Sequence, residues 1–585
     1  MVYTEGYLKE KLTKDLDAVH VVNPDKFTVT KQALLPGLLF SLLVRWCVAA
    51  YPYSGYKKPP MYGDYEAQRH WQEITVHTPS NKWYHNTTQN DLQYWGLDYP
   101  PLTAYHSLLM GLVADWLEPE SVRLFASRGY ESDTHKTFMR WTVFLSDIYL
   151  YVTAVLCICI DAERVTDIST TLFLLYPGII LIDYGHFQYN CVSLGFFLWA
   201  TFFIIAIRND TLATMFFVCA LNYKQMELYH SLPFFFYLGK LSHFVHCFNK
   251  LSIAVVASFI IIWYPFLKGW DNIFQVVHRL FPLNRGIFED KVSNVWCMVN
   301  VFIKLKTIYS NQEMAKTCML ITAMAAGPAC ADIFFRINVK KFVPCLINVS
   351  LAFFLFSFQV HEKSILLAAI PVALYFPEDP FMCFWFLLVS TFSMLPLLLK
   401  DGLLLPFIAT TVIYTSFYSI CLKLSQPNSG YFSIFNANRV TKILQPNKKD
   451  SSPFLTFVSL IFVISVVGMI LLTVGTVFVE PPPQLPDLFS LLIAAYSCVH
   501  FLFFFCYFYY QQFSLPVCLP CVEVTDDSDG CGAKFSVLIV SDKFQGKPLL
   551  ARHRLVNAVL QEELKSIHAF TQKTLTVEQW NAQKS

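Results

Sequence analysis

Hydrophobic positions in this chain come in long unbroken runs, not in the short stripes of a water-soluble fold. Residues 33–50, 138–160, 343–358, 381–399 and 454–479 are largely apolar over about the 17 to 25 residues that a helix needs to cross the hydrocarbon core of a bilayer. About 12 to 14 such runs lie between residues 33 and 512. Backbone amides in lipid must pair within their own segment, and no run shows the alternation of a barrel strand, so the runs predict helices. The pattern therefore predicts an all-α polytopic membrane protein over residues 33–512.

Polar stretches between the runs set the expected topology. The first run follows about thirty mostly polar residues and reads as a signal anchor. A long loop over residues 52–137 follows it and holds the sequon Asn86-Thr87-Thr88, which is used only on the lumenal side. Two further sequons, at Asn209 and Asn348, lie at the edge of or within apolar runs and read as chance matches. Lys423, Arg439, Lys442, Lys448 and Lys449 mark a later loop as cytosolic by the positive-inside rule. Two runs follow that loop, so both termini are expected on the cytosolic side and the number of spans is expected to be even. Residues 102–117 fit either a short span or an interfacial helix, because the run is barely long enough and contains Tyr105 and His106.

The ends have a different pattern. Beyond Val522 the chain turns soluble, with a strand expected over residues 535–540 and an amphipathic helix over residues 552–564. Residues 1–20 form another amphipathic helix, with Leu8, Leu12 and Leu16 stacked at four-residue spacing. Neither end alone buries enough surface to fold stably.

Composition confirms lipid as the main solvent: 55% of residues are hydrophobic, 16% aromatic and 15% charged. A net charge of +2 carries no basic stripe of the kind a nucleic-acid binder needs. The 17 cysteines are scattered, many inside apolar runs, and imply no disulfide framework. Cys518 and Cys521 have the spacing of a metal or redox half-site, but juxtamembrane cysteines are often simply acylated.

Candidate chemistry concentrates in the first long loop. Asp64, Glu66, Arg69, His70 and Trp71 fall within nine residues, and Trp95, Asp98 and Tyr99 follow. Transfer of a sugar to an alcohol needs a carboxylate to take the proton, and aromatic faces support sugar rings. Asp64 is thus read as a functional carboxylate, against the plainer reading of a solvated or helix-capping aspartate. Ionisable groups also interrupt the apolar runs: Asp183, His186 and Gln188; Lys224, Gln225 and Glu227; Arg279, Arg285, Glu289 and Lys291; His361, Glu362 and Lys363. A departing phosphate requires cations, for which Arg285, Lys291, His361 and Lys363 are the candidates, each alternatively held in an internal ion pair.

At these motifs the sequence resembles the dolichyl-phosphate-glucose-dependent alpha-1,3-glucosyltransferases, and more closely those adding the first glucose than those adding the second. The resemblance covers about residues 38–512, through the blocks at 63–71, 95–106, 127–132, 183–190, 222–229, 279–296, 356–366 and 388–400. It implies a GT-C-like membrane fold of the endoplasmic reticulum, a lumenal active site and inverting transfer of glucose from dolichyl phosphate glucose to the lipid-linked nine-mannose oligosaccharide, Man9GlcNAc2-PP-dolichol. Carried over by position, Asp64 is the general base and Asp98 a second acid for acceptor positioning. Glu66, Arg69, His70, Trp95, Tyr99, Arg285, Lys291, His361 and Lys363 are the expected substrate-binding residues. The resemblance implies no cofactor for glucosyl transfer.

The ends resemble a BolA-like protein, through residues 535–540, 543–550, 552–557 and 567–570, with residues 1–20 similar to its first helix. The expected division is thus residues 1–22 and 523–585 as the two parts of one small α/β domain, with the transferase between them. In BolA-like proteins a complex with a monothiol glutaredoxin holds a [2Fe-2S] cluster, and the matching ligand positions here are His568 and Cys531. A true insertion, or a transferase gene lying within an intron of a BolA gene, would give the same sequence. The lack of shared chemistry between the two parts favours the second.

Two other function classes fit a multi-pass chain. A carrier or flippase of lipid-linked sugar would show internal repeats with helices broken at matching positions, and the sequence shows none. A membrane-anchored iron-sulfur adaptor would leave the transferase part inactive, against which the intact motif around Asp64 speaks.

Overall fold

The computed structural model describes residues 7–8, 11–12, 34–161, 167–240, 246–281, 291–336, 338–425, 434–438, 440, 453–515, 521–528, 533–576 and 579–580. The chain forms two compact units: one of residues 29–331 and 342–512, the other of residues 1–28, 332–341 and 513–585.

The larger unit is helical. Among the described residues, eight helices are long and apolar enough to cross a membrane: Asp133–Cys159, Asn190–Ile207, Asn249–Phe266, Asn311–Phe335, Val339–Phe356, Leu404–Lys423, Leu455–Phe478 and Leu488–Ser514. Leu34–Ala49 (α1) and Pro380–Ser393 are shorter apolar helices. Other expected spans are broken pieces. The helix Asp167–Leu174 breaks at Leu175 and Tyr176, and the run resumes at Pro177, which suits a first helical position, as Pro177–Ile180 followed by the widened turn Leu181–Phe187. The helix Leu455–Phe478 leaves Ile464, Leu471 and Phe478 exposed, the surface that lipid covers.

Polar groups inside the helical body are paired, as a low dielectric demands. Arg45 of α1 donates from Nε to Asp147 Oδ2 at 2.6 Å and from Nη1 to the Leu174 carbonyl at 2.6 Å, joining three segments. Asn348, buried completely, donates to Gln512 Oε1 at 2.8 Å.

Between α1 and α4 (Asp133–Ser146) the loop folds around α2 (Asp64–His77) and α3 (Pro101–Leu117). Gly111 of α3 lets the two helices meet, since a Cβ there would lie 2.7 Å from Val76 Cγ2. The outer face of α3 (Leu109, Leu112, Val113, Trp116) is apolar and exposed. Its inner face (Ala104, Ser107, Gly111, Ala114) is buried, so this ambiguous run is a helix with protein on one side.

The smaller unit holds a three-stranded sheet in the order β1 (Cys521–Asp526), β2 (Lys534–Val540), β3 (Ala569–Leu575). β1 pairs antiparallel with β2, and β3 pairs parallel with β2 after the crossover helix α5 (Leu549–Val559). Phe535, Val537 and Ile539 alternate inward and pack with Val556, Val559 and Leu560. Leu8 and Leu12, at the other end of the chain, complete the same core. Tyr7 Oη donates to Glu563 Oε1 at 3.1 Å and Lys11 pairs with the same carboxylate.

Candidate active site

Helix α2 begins at the site. Gly63 is its extended N-cap and Asp64 its first residue, where a carboxylate is favoured by the helix dipole. Residues Tyr65 to Thr75 are all buried, so the helix is a core element and not a surface one. Trp71 donates to the Trp95 carbonyl at 2.8 Å and packs on Tyr99, with ring centroids 5.0 Å apart.

Below Asp64 lies a saturated ion cluster. Arg69 donates to both oxygens of Glu66 at 2.8 and 2.7 Å, to Glu73 Oε2 at 2.8 Å and to Ser127 Oγ at 2.6 Å. Glu66 also accepts from Tyr94 Oη at 2.8 Å and the Gly129 amide at 3.0 Å. Glu73 accepts from the Phe125 amide at 2.9 Å and lies 3.1 Å from His70 Nδ1. Glu66, Arg69 and His70 are no more than 2% exposed. Glu66 and Arg69 are bonded to the protein and tie the 121–129 segment to α2, while the Nε2 of His70 is buried without a hydrogen-bond partner among the described residues. Gly129 has φ +69°, and a Cβ there would overlap the Tyr62 ring at 2.3 Å, which explains the glycine in that motif.

Asp64 itself lies where separate segments converge. Its Oδ2 is 3.0 Å from His186 Nε2 and is also bonded by Gln188 Nε2 and Lys363 Nζ. Among the described residues, all three side-chain bonds fall on Oδ2, while the Asp64 side chain as a whole is 24% exposed. Burial alone would push this carboxyl up. Lys363 and then His186 outweigh it and hold Asp64 well below the usual carboxylate range. Behind the ring, His186 Nδ1 lies 2.5 Å from Asp401 Oδ2. The His186 carbonyl accepts from the Ser54 amide at 3.0 Å, and Lys58 donates to the Lys400 carbonyl, so the first loop is tied to both segments.

The other candidates scatter. Asp98 is half-buried, and its carbonyl accepts from Gln225 Nε2 at 3.0 Å. Arg279 donates to the neighbouring carbonyls of Leu97 at 3.1 Å and Gly96 at 2.6 Å, which places this segment. Trp95 donates to the Met61 carbonyl at 2.6 Å, and Tyr99 presents its ring to Lys224 Nζ at 5.3 Å. Tyr99, Gln188, Tyr189, Tyr223 and Lys224 close around a crevice too tight for a water molecule, which shares Gln188 with Asp64. Lys363 sits on Asp64, not on its sequence neighbour Glu362. His361 stands in extended conformation just before the turn Glu362–Ile365, and its side chain does not cap it. Lys291 pairs with Asp487 at 3.1 Å on the surface. Arg285, Cys518 and Cys531 lie outside the described residues. His568 is exposed where β3 begins, open to an external ligand, with its amide bonded to the Ala533 carbonyl at 2.8 Å.

His186 and Gln188 were visible in the sequence as polar groups in an apolar run, without a role. Asp401 was not singled out. Its signal is a lone carboxylate directly after Lys400 at the end of an apolar helix.

Similarity to known proteins agrees with this geometry. Residues 41–507 match the ALG6, ALG8 glycosyltransferase family, and residues 522–579 match the BolA-like proteins. The chain is 50% identical over 497 residues to the dolichyl pyrophosphate Man9GlcNAc2 alpha-1,3-glucosyltransferase of Rattus norvegicus, covering 80% of this chain and 94% of that one. It is 43% identical over 490 residues to the probable enzyme of that name from Dictyostelium discoideum, covering 80% and 93%. Among solved structures, a bol-like protein from Babesia bovis is 52% identical over 11% of this chain and 74% of that one, with a TM-score of 0.11. With the match running from the middle of α1 into the last long helix, Leu488–Ser514, the chain belongs to the ALG6, ALG8 glycosyltransferase family.

Proposed function

We propose that this multi-pass glycosyltransferase moves glucose from dolichyl phosphate glucose to Man9GlcNAc2-PP-dolichol, the first glucosylation of the N-glycan precursor. The observation that carries the reading is Asp64, a partly exposed carboxylate whose side-chain bonds fall on one oxygen, beside the Tyr99, Tyr189 and Tyr223 cluster through Gln188. In the reaction the 3-hydroxyl oxygen of the terminal mannose attacks the anomeric carbon of glucose. The bond from that carbon to the phosphate oxygen breaks, dolichyl phosphate leaves with the electron pair, and the hydroxyl proton passes to Asp64. One displacement turns the β-linked donor into an α-1,3 product. Asp98, beside the cluster through Tyr99, positions the acceptor, and His361 meets the departing phosphate.

The enzyme is placed in the endoplasmic reticulum membrane with residues 52–137 lumenal and both termini cytosolic. Transfer of glucose from purified dolichyl phosphate glucose to the nine-mannose acceptor, by wild type and by Asp64→Asn, tests the reading. Transfer by the wild type alone supports it; equal transfer by Asp64→Asn removes Asp64 as the base.

The ends are read as one BolA-like domain of residues 1–22 and 523–585. Leu8 and Leu12 in the core of the sheet, with Lys11 on Glu563, support that division. This packing is indifferent to whether the transferase interrupts the domain on one polypeptide, so peptide mapping across Val21 and Val522 decides that point. A [2Fe-2S] cluster shared with a monothiol glutaredoxin would use the exposed His568, with Cys531 the second ligand. Titration of the chain with a cluster-loaded glutaredoxin, followed by visible circular dichroism, tests it; no spectral change with His568→Ala relative to wild type would rule out that ligand.

A further inference from the structure

The base of the proposed reaction is the outer member of a chain of three groups. Asp401 Oδ2 lies 2.5 Å from His186 Nδ1, and His186 Nε2 lies 3.0 Å from Asp64 Oδ2. Side-chain exposure rises along it, from 5% and 3% at Asp401 and His186 to 24% at Asp64. Asp401 is set by the turn that ends Leu395–Lys400, its amide bonding the Leu398 carbonyl at 3.2 Å, before Gly402 at φ +72°. The ring is therefore clamped at both nitrogens by carboxylates from distant segments.

A neutral imidazole can donate to only one of two flanking carboxylates, whereas the imidazolium donates to both. Among the described residues, the other charged group against the ring is Lys363, with Nζ 3.1 Å from Nε2. That cation opposes a charge on the ring. Asp401, the buried carboxylate at Nδ1, offsets it.

We propose that His186 and Asp401 are positioning residues for glucosyl transfer: Asp401 holds the His186 ring, and the ring holds Asp64 by one oxygen so that the other faces the acceptor hydroxyl. The inference rests on Asp64 being the base.

The test is the pH profile of kcat/KM for glucose transfer by the full chain in detergent, for wild type, Asp64→Asn, Asp401→Asn, Asp401→Glu and His186→Gln. Removing the Asp401 charge acts on Asp64 with opposite signs by two routes. Through space, loss of a nearby negative charge makes Asp64 more acidic. Through the ring, loss of Asp401 leaves the imidazole neutral and takes a cation from Asp64, making it less acidic. The expected result is an acid limb moved up by about one pH unit in Asp401→Asn and in His186→Gln. It comes with a fall in kcat of at least about tenfold and a donor KM nearly unchanged. Asp401→Glu restores part of the rate. An acid limb that stays in place or moves down in both variants overturns the proposal, as does wild-type kcat in either. If one variant fails to fold, the limb in the other decides. Transfer by Asp64→Asn would instead strike the reading of the base itself, and the profiles of the other variants keep the two failures apart.

Discussion

Lys363 reaches Asp64 across 299 positions of sequence, and its ammonium rests on the oxygen that His186 and Gln188 also hold. A carboxylate so bonded is ionised and oriented before substrate arrives, which is what a general base requires. It is also weakened as a base, because the same cations hold it below the usual carboxylate range. Proton transfer is then expected late, when the acceptor oxygen has begun to bond to the sugar and has become acidic.

Lys363→Met should move the acid limb of kcat/KM to higher pH. The substitution removes the largest cationic contribution to Asp64, leaving burial, which favours the protonated form. A shift of about one unit or more is expected. Were Lys363 instead held only for the donor phosphate, the donor KM would rise and the limb would stay in place. Stability follows the same sign: a lowered carboxyl contributes above its unfolded value and loses that contribution as pH falls through the folded one.

Arg69→Met should be a folding lesion before it is a catalytic one. It leaves Glu66 and Glu73 as buried carboxylates without their shared cation, a loss of about 3 to 5 kcal/mol. Glu73 is raised by burial but brought down to about 2 by His70 and Arg69. In the wild type its contribution is present above the ordinary carboxylate value and fades as pH falls toward about 2. In the variant that fading should begin at higher pH. Thermal unfolding in detergent from pH 3 to 7 reads both effects.

This cluster also shows how far the sequence could be read. The long apolar runs, the loop that carries Asp64 and the terminal strand were legible because burial writes itself into residue type along the chain. Glu66, Arg69 and His70 looked like substrate groups because they crowd the same motif. Yet Glu66 and Arg69 are three apart and Arg69 and Glu73 four apart, the helical spacing at which side chains pair with each other. That spacing signalled an internal cluster. Asp401 and His186 could not be joined from sequence, since 215 positions separate them and Asp401 falls just outside the motif block that ends at Lys400. The grouping of Tyr99, Tyr189 and Tyr223 depends on how separate helices and loops meet and left no trace in composition.

Lys11→Met should destabilise the sheet at the far end of the chain. Glu563 has 3% of its side chain exposed, and Lys11 and Tyr7 hold its carboxylate. Without Lys11 a buried carboxylate loses its cation, at a cost of about 3 kcal/mol. Amide exchange in β2 should speed up accordingly, while Lys565→Met, which removes an exposed pair with Glu562, should leave exchange unchanged. Equal effects of the two variants would mean that residues 1–22 do not build this domain.

Asn86 tests the orientation on which the reaction depends. It is exposed in the loop that holds Asp64, with Thr88 exposed beside it, so an oligosaccharide can be attached without disturbing the core. Asn348 is buried completely and bonded to Gln512, and Asn209 caps the helix Asp210–Tyr223 by accepting from the Leu212 amide at 3.1 Å. The transferase expressed in cells should therefore carry one glycan, removed by a glycosidase and absent in Asn86→Gln but retained in Asn348→Gln and Asn209→Gln. A donor phosphate loaded on the cytosolic face could not reach a base in a glycosylated loop, so this modification fixes the side on which the donor must be presented. An unmodified Asn86, with the loop open to a reagent confined to the cytosol, would reverse the topology and move the reaction to the other leaflet.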